Sequence, residues 1–176
     1  GPNGGVVIDA NGQAINNRGL NSYVDYGYYG SSFAKLKAGT YTLTLTGNGG
    51  TTGAFALQLL DVTAATVISK GVVVSGQLAP ANSLQIYQFS ATAGDNINFD
   101  ALSTGPGSPN VKLLDPYGRY VTWASSFYDL NNLNLASTGV YTLFVSGEGY
   151  RDPVNYGPTD YSFQLVDNGN TPGGRA

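Results

Sequence analysis

Two stretches decide the fold: Gly39-Thr40-Tyr41-Thr42-Leu43-Thr44-Leu45-Thr46-Gly47 and Gly139-Val140-Tyr141-Thr142-Leu143-Phe144-Val145-Ser146-Gly147. In the first, Tyr41, Leu43 and Leu45 alternate with threonines. An extended chain sends successive side chains to opposite faces, so this period of two places the apolar row on one side and Thr42 and Thr44 on the other. Tyr141, Leu143 and Val145 repeat the row, with Thr142 opposite. The pattern predicts Leu43, Leu45, Leu143 and Val145 inside a β-protein and Thr42, Thr44 and Thr142 in water.

The likeness extends outward from these strands. Val7-Ile8-Asp9-Ala10-Asn11-Gly12 resembles Leu113-Leu114-Asp115-Pro116-Tyr117-Gly118, and Phe55-Ala56-Leu57-Gln58-Leu59-Leu60-Asp61 resembles Tyr161-Ser162-Phe163-Gln164-Leu165-Val166-Asp167. The spacing is about 100–106 residues, the order is kept, and every match falls on a strand-like pattern, as a duplicated folding unit requires. Leu57 and Phe163 join the predicted inward set. The chain therefore reads as a first unit over 3–62, a connector over 63–71, a second unit over 72–168 and a tail over 169–176. The second copy has a long lead-in from Val72 to Pro109 that the first lacks, so the first reads as incomplete; Gly1-Pro2 reads as a protease scar.

Within the second unit, strand signals fall near 72–78, 84–91, 95–103, 109–115, 119–123, 130–136, 139–147 and 160–167, separated by turn residues. Short strands at this spacing predict an all-β, jelly-roll-like β-sandwich. The best helical candidate, Thr63 to Lys70, is weakened by its β-branched residues.

Composition narrows the function classes. The chain has 176 residues, 41% hydrophobic and only 11% charged, with 25 Gly, 13 Tyr and 7 Phe. So many aromatics with so little charge indicate a folded chain rather than a disordered one. The net charge is −3 and the eight Lys and Arg residues are scattered, so no basic stripe offers itself to a phosphate backbone. Nucleic acid is not an expected partner, and no apolar run reaches the length that spans a bilayer. Cys and His are absent, which removes thiolate and Ser-His-Asp chemistry. The polar, uncharged composition suits a secreted or cell-surface protein.

Glu148 is the only Glu, so a carboxylate pair must draw on Asp. Asp9, Asp61, Asp115 and Asp167 recur at matching repeat positions, which favours turn or strand-end roles. Asp115-Pro116 and Asp152-Pro153 have the composition of self-cleaving bonds, but a turn proline explains the first more simply. The expectation is a non-catalytic protein.

Two groups of residues stand as candidate sites. Tyr26, Tyr28 and Tyr29 in the first unit, and Trp123, Phe127 and Tyr128 (with Tyr120 nearby) in the second, offer rigid apolar area suited to a peptide or sugar face. Core filling is their bland reading. The longer Ser146–Tyr161 connection carries Glu148, Asp152, Asn155 and Asp160, hard oxygen ligands of the kind calcium takes. They follow no calcium-loop spacing, and ordinary loop variation is the alternative; calcium is the one candidate cofactor, and none is required.

Ser75-Gly76-Gln77-Leu78, Tyr87-Gln88-Phe89-Ser90, Ala93-Gly94-Asp95, Leu113-Leu114-Asp115-Pro116-Tyr117-Gly118 and Gly139-Val140-Tyr141-Thr142-Leu143 together resemble the bacterial pre-peptidase C-terminal domain. The resemblance covers roughly Val72 to Asp167; the first copy resembles only the family's second half. It implies a jelly-roll sandwich, secretion, and service as an accessory, binding or spacer module of a large secreted or surface protein, in some members on an extracellular protein or polysaccharide. The family's calcium-binding members use an acidic N-terminal linker, which this sequence lacks before Val72. An incomplete first unit would leave a strand edge open, to be covered within the chain or by a second copy in a dimer.

Overall fold

The alternating stretches form strands. The computed structural model describes residues 2–8, 14–18, 38–47, 61–81, 83–147 and 157–170. The chain divides between Leu60 and Asp61 into two compact units.

In the first unit, β1 (Pro2–Ile8), β2 (Ala14–Arg18) and β3 (Thr42–Gly47) make an antiparallel sheet in the order β2-β1-β3. Leu43 lies opposite Val7, and Thr42 and Thr44 face water as expected. Leu43 does not follow the expectation: it is 36% exposed. Three described strands do not enclose a face by themselves, so the alternation sets a side for Leu43 without supplying a layer to bury it. The side chains of Leu45 and Leu57 lie outside the described residues.

The second unit is a two-sheet sandwich. Its strands are β4 (Thr66–Val67), β5 (Val73–Leu78), β6 (Leu84–Ala91), β7 (Asp95–Thr104), β8 (Asn110–Leu114), β9 (Tyr120–Ala124), β10 (Leu130–Asn134), β11 (Gly139–Ser146) and β12 (Thr159–Asn170). One sheet has the order β10-β7-β12-β5 and the other β4-β6-β11-β8-β9. From β5 to β8 each strand crosses to the opposite sheet, β9 returns beside β8 as a hairpin, and β10 to β12 cross again. That alternation is the double Greek key of a jelly roll. Among the described residues the one helical segment is the 3-10 turn Val62–Ala64, capped by the Asp61 carboxylate.

The core lies between the sheets, with Phe89, Ile97, Phe99, Leu143, Val145, Phe163 and Leu165 all buried. Phe99 stacks on Phe163 at 5.0 Å, and Tyr87 meets Phe163 edge-on at 5.4 Å. Two buried hydroxyls sit among these rings, Tyr87 and Tyr161, and satisfy each other at 2.6 Å. Burial pushes both phenols above the ordinary value. Gly76 on β5 makes room for them: a Cβ there would lie 2.5 Å from Tyr161 Cζ and 2.8 Å from the Tyr87 hydroxyl.

The second sequence signature is also architectural. The Tyr141 hydroxyl donates to the Ser137 carbonyl at 2.9 Å and accepts from the Ser137 N–H at 3.1 Å, locking β11 to the chain four residues upstream. Gly139 has φ +147°, and a Cβ there would come within 2.8 Å of Pro116. Thr142, expected in water, is 4% exposed. From Tyr141 to Ser146 β11 is buried on both faces, as is its neighbour β8 throughout. Alternation presumes one wet face, and this sheet's centre has none.

Candidate functional site

Four carboxylates of the second unit, Asp61, Asp95, Asp115 and Asp167, are held by turns, strand ends or a neighbouring cation. Asp115 Oδ1 accepts from the N–H groups of Tyr117 (2.9 Å) and Arg119 (2.8 Å), closing the turn between β8 and β9. Its Oδ2 pairs with Arg119 Nε at 2.6 Å. Burial alone would raise this carboxyl, but those bonds hold it below the usual carboxylate range. With the carboxylate so engaged and Pro116 packed against Gly139, Asp115-Pro116 is a built turn.

Lys70 reaches two carboxylates, Asp95 at 2.9 Å and Asp167 at 2.6 Å. The Thr92 N–H and then Lys70 hold Asp95 below its ordinary value; Lys70 and then the Gly169 N–H do the same for Asp167. Asn170 Nδ2 adds a bond of 3.2 Å to Asp95 Oδ1. An ammonium already fills the space between these carboxylates. Among the described residues no cluster of three or more acidic side chains is placed to hold a metal ion.

The structure disperses the candidate aromatics. Phe127 is 9% exposed and belongs to the core, edge-on to Phe99 at 5.5 Å and near Tyr161 at 5.8 Å. Its N–H donates to Ser108 Oγ at 2.6 Å, so the loop after β9 folds inward and plugs the sandwich. Phe127 therefore packs in the core, as its bland reading expected. Trp123 is half-buried on β9, directly opposite Lys112, on the side of its sheet that faces away from the core. Tyr128 alone of these three is exposed, at 51%. Tyr26, Tyr28 and Tyr29 lie outside the described residues, as do Glu148, Asp152 and Asn155. Asp160 is exposed on β12, where its Oδ1 accepts from Gln77 Nε2 of the facing strand at 2.7 Å.

Two surfaces emerge whose members the sequence pattern does not join. At the β8–β9 turn, Tyr117 and Tyr120 are both exposed, and the Arg119 guanidinium lies 5.0 Å over the Tyr117 ring. Tyr117 and Arg119 read from sequence only as turn residues. On the outer face of the four-stranded sheet, Asn96 and Asn98 of β7, Asn132 and Asn134 of β10 and Asn168 of β12 are brought together by hydrogen bonds. The available signal was asparagine alternating with core residues in Asn96-Ile97-Asn98-Phe99, which shows an outward amide row but not which strands join it.

No helix among the described residues is long and apolar enough to cross a membrane. No family model matches the chain, and no curated protein matches it by sequence. Among solved structures it is similar to PliG of Aeromonas hydrophila, a periplasmic inhibitor of g-type lysozyme (12% identity, 57% of this chain and 95% of that one, TM-score 0.46). It is also similar to the pre-peptidase C-terminal domain of collagenase from Bacillus anthracis (18% identity, 57% of this chain and 93% of that one, TM-score 0.42). A third similar structure is PliG of Salmonella Typhimurium (15% identity, 57% of this chain and 97% of that one, TM-score 0.34).

Proposed function

We propose that this chain is a non-catalytic binding or spacer module of a secreted or cell-surface protein. The observation that carries the reading is how the chemistry-bearing groups are used. Asp61, Asp95, Asp115 and Asp167 are bound to backbone N–H groups of turns or strand ends, and the ammonium of Lys70 lies between two of them. The signature glycines and Tyr141 serve packing and closure of the sandwich. A crevice lined by Leu78, Ala81, Ser108, Pro109 and Thr159 has no ionisable side chain in its wall. Exposed Tyr117, Tyr120 and Tyr128 favour binding over a purely passive spacer, because such residues supply contact area at low entropic cost.

The test is a turnover screen. The protein is incubated with peptide, ester and glycoside substrates beside Asp95→Asn and Asp167→Asn variants, which disarm the one convergent set of charged groups described. Product formation should stay at the buffer rate for all three proteins. Turnover by the parent that either variant abolishes would make the chain an enzyme.

A further inference from the structure

We infer that the outer face of the four-stranded sheet is a binding surface for an uncharged polysaccharide, with the amides of Asn134 and Asn168 as its hydrogen-bonding contacts. The inference rests on the reading of the chain as a binding module and supplies its ligand class.

A single backbone group fixes the whole amide array. The Asn132 N–H donates to the Asn98 side chain at 2.9 Å, so the atom it meets must be Oδ1. Asn98 Oδ1 also accepts from Asn168 at 2.7 Å, which makes that atom Nδ2. Asn168 Nδ2 donates at 2.9 Å to Asn96, whose near atom is therefore Oδ1. The Asn96 Nδ2 then donates to Asn134 Oδ1 at 2.8 Å. The relay ends with the two N–H donors of Asn134 at one end and the Asn168 carbonyl at the other, both on exposed residues. These groups are held in place before any ligand arrives, so little side-chain entropy is lost on binding.

The chemistry of this face selects its partner. The row Asn134, Asn96, Asn168 crosses three neighbouring strands, about 10 Å at two strand spacings, the length of a disaccharide. Sugar hydroxyls both donate and accept, which matches amides presenting one of each. None of the four strands carries Lys or Arg, while Asp100 and Asp160 face outward from it, so anionic polymers are disfavoured. The array itself is made of amides alone, so its contacts are hydrogen bonds. Exposed hydrogen bonds are individually weak in water, so a repeating polymer that engages many copies fits better than a small sugar.

The test is retention on microcrystalline cellulose, chitin and insoluble mannan, with alginate as the anionic control, using the full chain. Asn134→Asp keeps an oxygen for Asn96 Nδ2 but removes both outward donors. Retention is expected on at least one neutral polymer and not on alginate. It should fall at least tenfold in N134D with an unchanged thermal midpoint, and stay unchanged in Val67→Ala, an exposed position on β4 of the other sheet. Should N134D melt earlier, Asn134→Ala is read instead, since it removes the same outward donors and the exposed hydrogen bond it gives up leaves the Asn96 amide to water. Retention on none of the neutral polymers, or retention that these variants leave intact, overturns the inference. Soluble sugar released in the same incubations would instead overturn the non-catalytic reading; absent retention without release sinks this inference alone.

Discussion

Gly76 shows how one residue can carry a sequence signature for purely steric reasons. It has no need of a left-handed backbone; what it supplies is space. Tyr87 and Tyr161 bring two hydroxyls into the core, where each satisfies the other, and β5 must pass directly over them. Gly76→Ala should cost about 1–3 kcal/mol through overpacking, read as a lower midpoint in urea. Replacing Tyr161 by Leu removes both the hydroxyl and the Cζ that the new methyl would strike. Gly76→Ala should then cost less in the Tyr161→Leu background than alone, a coupling of about 1 kcal/mol or more for residues in direct contact. Strictly additive losses would mean that something other than this contact fixes the glycine.

At the scale of elements, strand boundaries were legible because alternation and turn residues reported the same thing. The expected span 84–91 is β6, and 139–147 differs from β11 by a single residue. Burial was less legible. Thr142 obeys the alternation but belongs to a strand enclosed on both sides, and Phe127 comes from a loop that no periodicity describes. The amide relay joins three strands of the sheet, a relation that emerges only when the sheet order is known. The connector over 63–71 was hidden for another reason: its strand β4 has two residues, too few for a period, and pairs in parallel with β6. Its clasp makes a pH prediction. Asp95 and Asp167 have folded pKa values below the ordinary 3.8, so their contribution is present above that value and is lost as pH falls through the lowered folded values. Lys70→Met should cost about 1 kcal/mol near neutrality, the scale of pairs that still meet solvent, here with Asp167 partly exposed and Asp95 buried, and the gap to the parent should narrow as pH drops below 3.8. In an NMR titration the variant should shift Asp167 upward more than Asp95, because Lys70 is the leading cause only for Asp167. A gap that does not change between neutral and acid pH would show that Lys70 acts through its aliphatic stem.

At the scale of the whole molecule, the division between Leu60 and Asp61 assigns 61–71 to the sandwich, whereas the sequence pattern starts the second unit at 72. Local bonding explains why this stretch belongs there. It begins on one sheet, where β4 lies beside β6 and the Ile68 N–H donates to the Gln88 carbonyl at 2.8 Å. It then crosses the end of the sandwich, with Ile68 packed against the core and Lys70 clasping Asp95 and Asp167. It enters the other sheet at Gly71, whose N–H donates to the Leu165 carbonyl at 2.7 Å, and continues as β5. The stretch is thus a strap across both layers. A fragment spanning 61–176 should keep the strap, whereas one spanning 72–176 loses it. The loss combines partial burial of Ile68, the β4–β6 pairing with the Ile68 and Gly71 backbone hydrogen bonds and a partly exposed ion-pair set, together about 2–5 kcal/mol. Urea titration of the two fragments side by side should show the shorter one with the lower midpoint. Hydrogen exchange should speed up in the shorter fragment at the β6 and β12 positions that the strap contacts. If both fragments unfold at the same urea concentration, 61–71 is a tether and the sandwich begins at β5.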